Sequence, residues 1–67
     1  MFIDYLFEVV DEDSEFCGEE FLVEVQSGID SFNQAYAIAE ENFPNTKLKA
    51  YGPYSVEEAE AMGLDTY

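Results

Sequence analysis

The sequence predicts an α+β fold of the form ββαβα, a three-stranded antiparallel sheet of order 2-1-3 with one main helix on one face and a short C-terminal helix. Three observations carry this expectation. Two stretches alternate apolar and polar residues with a period of two. One stretch repeats its apolar residues at helical spacing. Gly or Pro lies at the main boundaries, and Ser-x-x-Gln/Glu pairs stand where helices should begin.

Residues 1–10 place Met1, Ile3, Tyr5, Phe7 and Val9 on one side, with Asp4 and Glu8 on the other. Aromatic and β-branched content supports a strand there. Residues 20–26 repeat the pattern, with Phe21, Val23 and Val25 opposed by Glu20, Leu22, Glu24 and Gln26. The polar segment 11–18 between them ends in Gly18 and predicts a hairpin with a long acidic tip. Asp30 or Ser31 can then cap a helix, Ser31 forming a capping box with Gln34. Phe32, Ala35, Tyr36, Ala39 and Phe43 follow at helical spacing, with Ile38 beside them, until Pro44-Asn45 ends the helix. Residues 47–51 read as a short strand with Leu48 and Ala50 on one side, after which Gly52-Pro53 is expected to turn the chain. Ser55 and Glu58 form a second capping box, opening a helix that runs through Met62 to Gly63 as a left-handed cap.

All 67 residues belong to one small domain with a thin core, since no linker or repeat divides them. Alternating strand directions place the third strand beside the first, giving the 2-1-3 order. The main helix covers the odd-numbered face, and the last helix packs at an end or edge.

Composition narrows function. Sixteen carboxylates face two lysines, with no arginine or histidine, for a formal charge of −14. The chain is nevertheless 48% hydrophobic and 16% aromatic, which separates it from disordered acidic tails. Lys47 and Lys49 cannot supply the basic patch that direct nucleic-acid binding or an anionic membrane requires. The apolar runs are too short to span a bilayer, and residues 1–10 lack the basic start of a secretory signal. Cys17 is alone, so no intramolecular disulfide or cysteine-rich zinc site is possible, and a reducing cytoplasm is the expected location.

The charge is unevenly placed. Residues 1–26 hold nine carboxylates and no base, residues 27–54 hold three carboxylates and both lysines, and residues 55–67 hold four carboxylates. Opposing Glu8 to Glu20 and Asp4 to Glu24 would juxtapose like charges, so the expected register instead sets Glu8 against Leu22 and Leu6 against Glu24. Residues two apart on one strand face lie about 7 Å apart, close to the phosphate spacing of a single nucleic-acid strand. The candidate partner-binding residues are therefore Asp4, Glu8, Glu20 and Glu24 on an outer sheet face, extended by Asp11, Glu12, Asp13 and Glu15 at the tip. Glu40 and Glu41 join them because they lie at a helix C-terminus, where the dipole disfavours anions. Glu57 and Glu58, in a first turn, are explained by helix chemistry alone.

Catalytic equipment is not evident. There is no histidine, no glycine-rich phosphate loop, and no Ser or Cys with an adjacent base. Asp11-x-Asp13-x-Glu15 opens like a calcium loop, but Phe16 stands where glycine is needed and Leu22 where the twelfth-position glutamate belongs. No metal, cofactor or enzymatic activity is expected. Most of the eleven aromatic residues read as core, and Tyr51, Tyr54 and Tyr67 as candidate surface anchors. A salt-adapted composition would also account for scarce lysine, but the aromatic content and the excess of Glu over Asp argue for a rich core instead.

In size, charge and ββαβα layout, the chain resembles the small acidic inhibitors that phages encode against host defences, the anti-CRISPR and DNA-mimic anti-restriction proteins. The residues carrying the resemblance are the hairpin carboxylates Asp4, Glu8, Asp11, Glu12, Asp13, Glu15, Glu19, Glu20 and Glu24. It implies an inhibitor in the host cytoplasm that occupies a basic nucleic-acid channel of a CRISPR effector or nuclease and excludes the substrate. The alternative is a non-enzymatic adaptor or assembly protein, kept soluble by its acidity and binding through aromatic or sheet-edge contacts.

Overall fold

A computed structural model describes all of residues 1–67. It contains β1 (Phe2–Val9), β2 (Glu20–Gln26), α1 (Ser31–Asn42), β3 (Leu48–Tyr54) and α2 (Val56–Met62). The three strands form one antiparallel sheet of order β2-β1-β3, as the α+β reading expects.

Alternation along β1 and β2 creates an inner face of Tyr5, Phe7, Val9, Phe21, Val23 and Val25, all buried. Ala35 and Ala39 of α1 meet that face with no exposed surface. Their small side chains let the helix backbone approach closely, while Tyr36, Ile38 and Phe43 pack around them. Leu48 and Ala50 complete the same core from β3. Phe7 stacks on Phe21 with centroids 5.6 Å apart, and Phe21 stacks on Phe43 at 4.8 Å. Burying such rings stabilises a thin core by roughly 1.5–3 kcal/mol each.

The N-terminus of α1 differs from the expected capping box. Asp30 is the N-cap, with no side-chain cap bond. Ser31 is buried, and its hydroxyl bonds the Tyr5 hydroxyl at 3.2 Å. Burial of the phenol against the helix start required a polar partner, so Ser31 serves the sheet rather than its own helix. The second capping box is present: Glu58 N–H donates to Ser55 Oγ, and Ser55 N–H donates to Glu58 Oε1, both at 3.1 Å. Gly63 ends α2 with φ +67, the left-handed cap.

The expected turn at Gly52-Pro53 is not a turn. β3 continues through it to Tyr54, with a register irregularity opposite Asp4–Leu6. Gly52 has φ +124, and a Cβ there would lie 3.2 Å from the Asp4 carbonyl oxygen. An edge strand accommodates proline because one row of its amides faces away from the sheet. Glycine supplies the close approach.

The hairpin register is also different. Asp4 opposes Glu24 and Glu8 opposes Glu20, the arrangement that charge repulsion argues against. The tip decides it. Gly18, at φ +94, donates its N–H to Val9 O at 2.8 Å, and Val9 N–H donates to Glu19 O at 2.9 Å. Two side-chain-assisted turns close the tip, Asp13 N–H bonding Asp11 Oδ1 and Phe16 N–H bonding Ser14 Oγ. This compact tip, together with the Phe7–Phe21 stack, sets the pairing. Repulsion of about 0.2–1 kcal/mol per pair is the smaller term.

The outer face is not uniformly wet. β1 pairs with one edge of β2, and the C-terminal segment runs along the other edge, forming a parallel bridge between Leu22 and Thr66. Leu22 N–H donates to Asp65 O, Tyr67 N–H donates to Leu22 O, and Glu24 N–H donates to Tyr67 O. The α2 helix lies over the Asp4 end of this face instead of only flanking the sheet, burying Ala59. Leu6 and Leu22 explain why: two leucines at the centre of a solvated face favour a cover.

Candidate binding surface

Three rows cross all three strands on the outer face: Glu20–Glu8–Lys49, then Leu22–Leu6–Tyr51, then Glu24–Asp4–Tyr54. Carboxylates on one strand are thus four residues apart, about 13 Å, with a leucine between them. The sheet therefore carries no continuous row at phosphate-like spacing, which corrects the expectation above.

The open end of the face is continuous with the tip. Glu12, Asp13, Glu15, Glu19 and Glu20 are exposed there, and Glu8 is half-buried. Glu8 Oε1 accepts the Tyr51 hydroxyl at 3.0 Å, and Lys49 is its cross-strand neighbour on β3. Lys49 Nζ lies 5.3 Å from the Tyr51 ring centroid. Asp11 is structural: besides closing the tip turn, its Oδ2 accepts Lys47 N–H at 3.2 Å and ties the tip to the start of β3. On the other layer, Phe16 of the tip packs edge-on against Phe43 at 5.6 Å. The C-terminal end of α1, with exposed Glu40 and Glu41, therefore lies at the tip end of the molecule, and no basic residue occupies its last turn.

At the other end, Asp4 is only 2% exposed, which removes it from the open carboxylate surface. Its Oδ2 is buried without a hydrogen-bond partner. Burial, then the nearby Glu24 and Glu60 carboxylates, push the Asp4 carboxyl above the usual aspartate range. Asp4 opens onto a cleft of about 300 Å³ lined also by Glu24, Val56, Ala59, Glu60, Leu64 and Thr66. Glu24 is exposed at its rim.

Sequence reasoning missed Glu60, Leu64 and Thr66 as neighbours of Asp4. A signal was available for the first: Val56, Ala59 and Glu60 fall on one helical face, at offsets of three and four. The pairing of the C-terminal segment with β2 left no such trace. Of the expected tyrosine anchors, Tyr51 is engaged with Glu8, and Tyr67 packs edge-on against Phe21 at 5.2 Å.

Comparison with protein-family models finds none that matches, and comparisons with curated proteins and with solved structures likewise find no match. No helix is long and apolar enough to cross a membrane.

Proposed function

We propose that the protein is an acidic inhibitor that binds a basic nucleic-acid-binding surface of a host defence complex, a CRISPR effector or a nuclease, and blocks access of DNA or RNA. The observation that carries this reading is the tip end: Glu12, Asp13, Glu15, Glu19 and Glu20 are all exposed within nine residues that contain no base. Glu8, Glu40 and Glu41 extend the same end around both layers of the fold. Two lysines can neutralise at most two of sixteen carboxylates, so the protein as a whole retains the field needed to steer toward a cationic groove. The acidic surface is the hairpin tip and the start of β2 rather than the whole sheet face.

The test is affinity capture from host lysate at low and high salt, comparing the natural chain with a variant carrying Glu12, Asp13, Glu15, Glu19 and Glu20 all changed to lysine. These positions are exposed, so the variant retains the core. Capture of a nucleic-acid-binding protein at low salt, lost at high salt, lost in the variant and competed by added DNA or RNA is the expected result. A partner retained by the variant and at high salt would overturn mimicry. It would favour the adaptor reading, for which exposed Phe16 (46%) and Phe32 (43%) offer apolar contacts.

A further inference from the structure

We propose that the cleft beneath α2 is a binding site for a single aliphatic ammonium group, the end of a lysine side chain. As far as the lysine is supplied by a protein partner, this deepens the basic-partner reading above; as a pocket for the ammonium itself, it stands apart from the tip.

Two independent features meet there. Three carboxylates, Asp4 of β1, Glu24 of β2 and Glu60 of α2, line one cleft. Within it, Asp4 is 98% buried and one of its oxygens lacks any partner, although buried carboxylates are ordinarily paired or hydrogen-bonded. No cation of the chain is placed to serve it. Lys49 is registered against Glu8 at the far end of the outer face, and Lys47 enters β3 beyond it, beside Asp11. The chain therefore maintains a desolvated acceptor with no internal donor.

The form of the cleft selects among cations. No group of carboxylates has an arrangement that could hold a metal ion. Divalent ions demand several oxygens within about 2.0–2.6 Å, whereas an ammonium is satisfied by separate acceptors at hydrogen-bond distances. Asp4 Oδ2 is shut off from solvent, so the carboxylate presents a single reachable oxygen to the cleft, which suits a point charge with three rotatable donors. The planar fork of arginine is matched by both oxygens of one carboxylate. Val56, Ala59 and Leu64 supply apolar wall for a methylene stem, and the Thr66 hydroxyl lies on the same cleft. Its volume, about 300 Å³, is at the lower end for ligand pockets and admits one side chain rather than a folded ligand.

Binding is coupled to protons. The charged groups beside Asp4 are Glu24 from β2 and Glu60 from α2, and Tyr54 is its register neighbour on β3. An arriving ammonium favours the ionised Asp4 and displaces its proton, so affinity rises with pH through the titration of Asp4.

The probe is Nα-acetyl-lysine N-methylamide, titrated into the 67-residue chain and followed by nuclear magnetic resonance. The expected result is a saturable shift confined to residues around Asp4, Ala59, Leu64 and Thr66, absent with the norleucine analogue, which keeps the stem and loses the charge. Asp4→Asn and Glu60→Gln should each weaken binding at least tenfold, whereas the five-lysine tip variant should bind the probe as the natural protein does. Unsaturable shifts spread over all exposed carboxylates would overturn the site. So would unchanged affinity in Asp4→Asn, tighter binding of the arginine analogue, or displacement of the probe by equimolar Ca²⁺. Because the tip variant tests the inhibitor reading and Asp4→Asn tests the cleft, failure of one is distinguishable from failure of the other.

Discussion

The two ends of the outer sheet face begin from the same chemical problem and resolve it differently. At each end a β1 carboxylate directly opposes a β2 carboxylate: Glu8 against Glu20, and Asp4 against Glu24. Glu8 has a tyrosine hydroxyl on one oxygen, lysine as its β3 neighbour, and partial access to water. Asp4 has the backbone of Gly52 closing on its carbonyl, a helix above its side chain, and no partner for Oδ2. One pair is an ordinary solvated surface, and the other is a desolvated acceptor held by the fold. Like-charge opposition by itself therefore says little. What covers the pair determines whether it acts as a field or as a site.

The strongest way to break the contrast is to remove what separates the two ends. Leu22 is 1% exposed at the centre of the face and holds the C-terminal segment through its backbone. Leu22→Ala should lower stability by about 3 kcal/mol, read as a reduced urea midpoint with little change in slope. A loss below about 1 kcal/mol would mean that the buried Leu22 side chain contributes little packing.

Asp4→Asn sharpens the comparison with the opposite sign. It removes a buried charge while keeping shape, and should raise stability by about 1–2 kcal/mol at pH 7. The pH dependence follows from the upward displacement of the Asp4 carboxyl. Between the ordinary aspartate value, about 3.9, and its own higher value, the native state binds more protons than the unfolded chain. Natural stability therefore falls as pH rises through that window, and the penalty is complete above it. The advantage of Asp4→Asn should accordingly vanish near pH 3.5, as measured by urea unfolding across pH. An equal advantage at pH 3.5 and pH 7 would show that ionisation of Asp4 is not the cause.

The smallest effect belongs to the other pair. Glu8→Gln relieves repulsion with Glu20 but weakens a charge-assisted bond from Tyr51, and the two changes nearly cancel. A net change within about 0.5 kcal/mol is expected. A change as large as that of Asp4→Asn would erase the distinction between the ends.

Much of the fold was legible because its signals are local. Period-two alternation located β1 and β2, the Ala35–Ala39 spacing located the buried stripe of α1, and Ser55, Glu58 and Gly63 marked both ends of α2. The misses involve contacts between segments distant in sequence. Ser31 has the sequence neighbours of a cap, yet its hydroxyl partner is Tyr5, twenty-six residues earlier. Gly52-Pro53 has the composition of a turn, yet lies within β3 because the Asp4 backbone needs space there. Most of the proposed acidic surface was readable from the tip composition. Asp4 lies on the outer face but is buried; alternation tells which face a residue occupies and not whether that face is covered.

The ββαβα order, the separation of an apolar face from an acidic one, and the concentration of carboxylates in the hairpin are all readable along the chain. Each follows from residue periodicity and charge along a short stretch of chain. The hairpin register, the laying of α2 over the outer face, the pairing of the C-terminal segment with the β2 edge and the burial of Asp4 emerge only in the folded molecule. Tip hydrogen bonds and ring stacking together outweigh the repulsion between facing carboxylates, and these terms exist only once the segments have met.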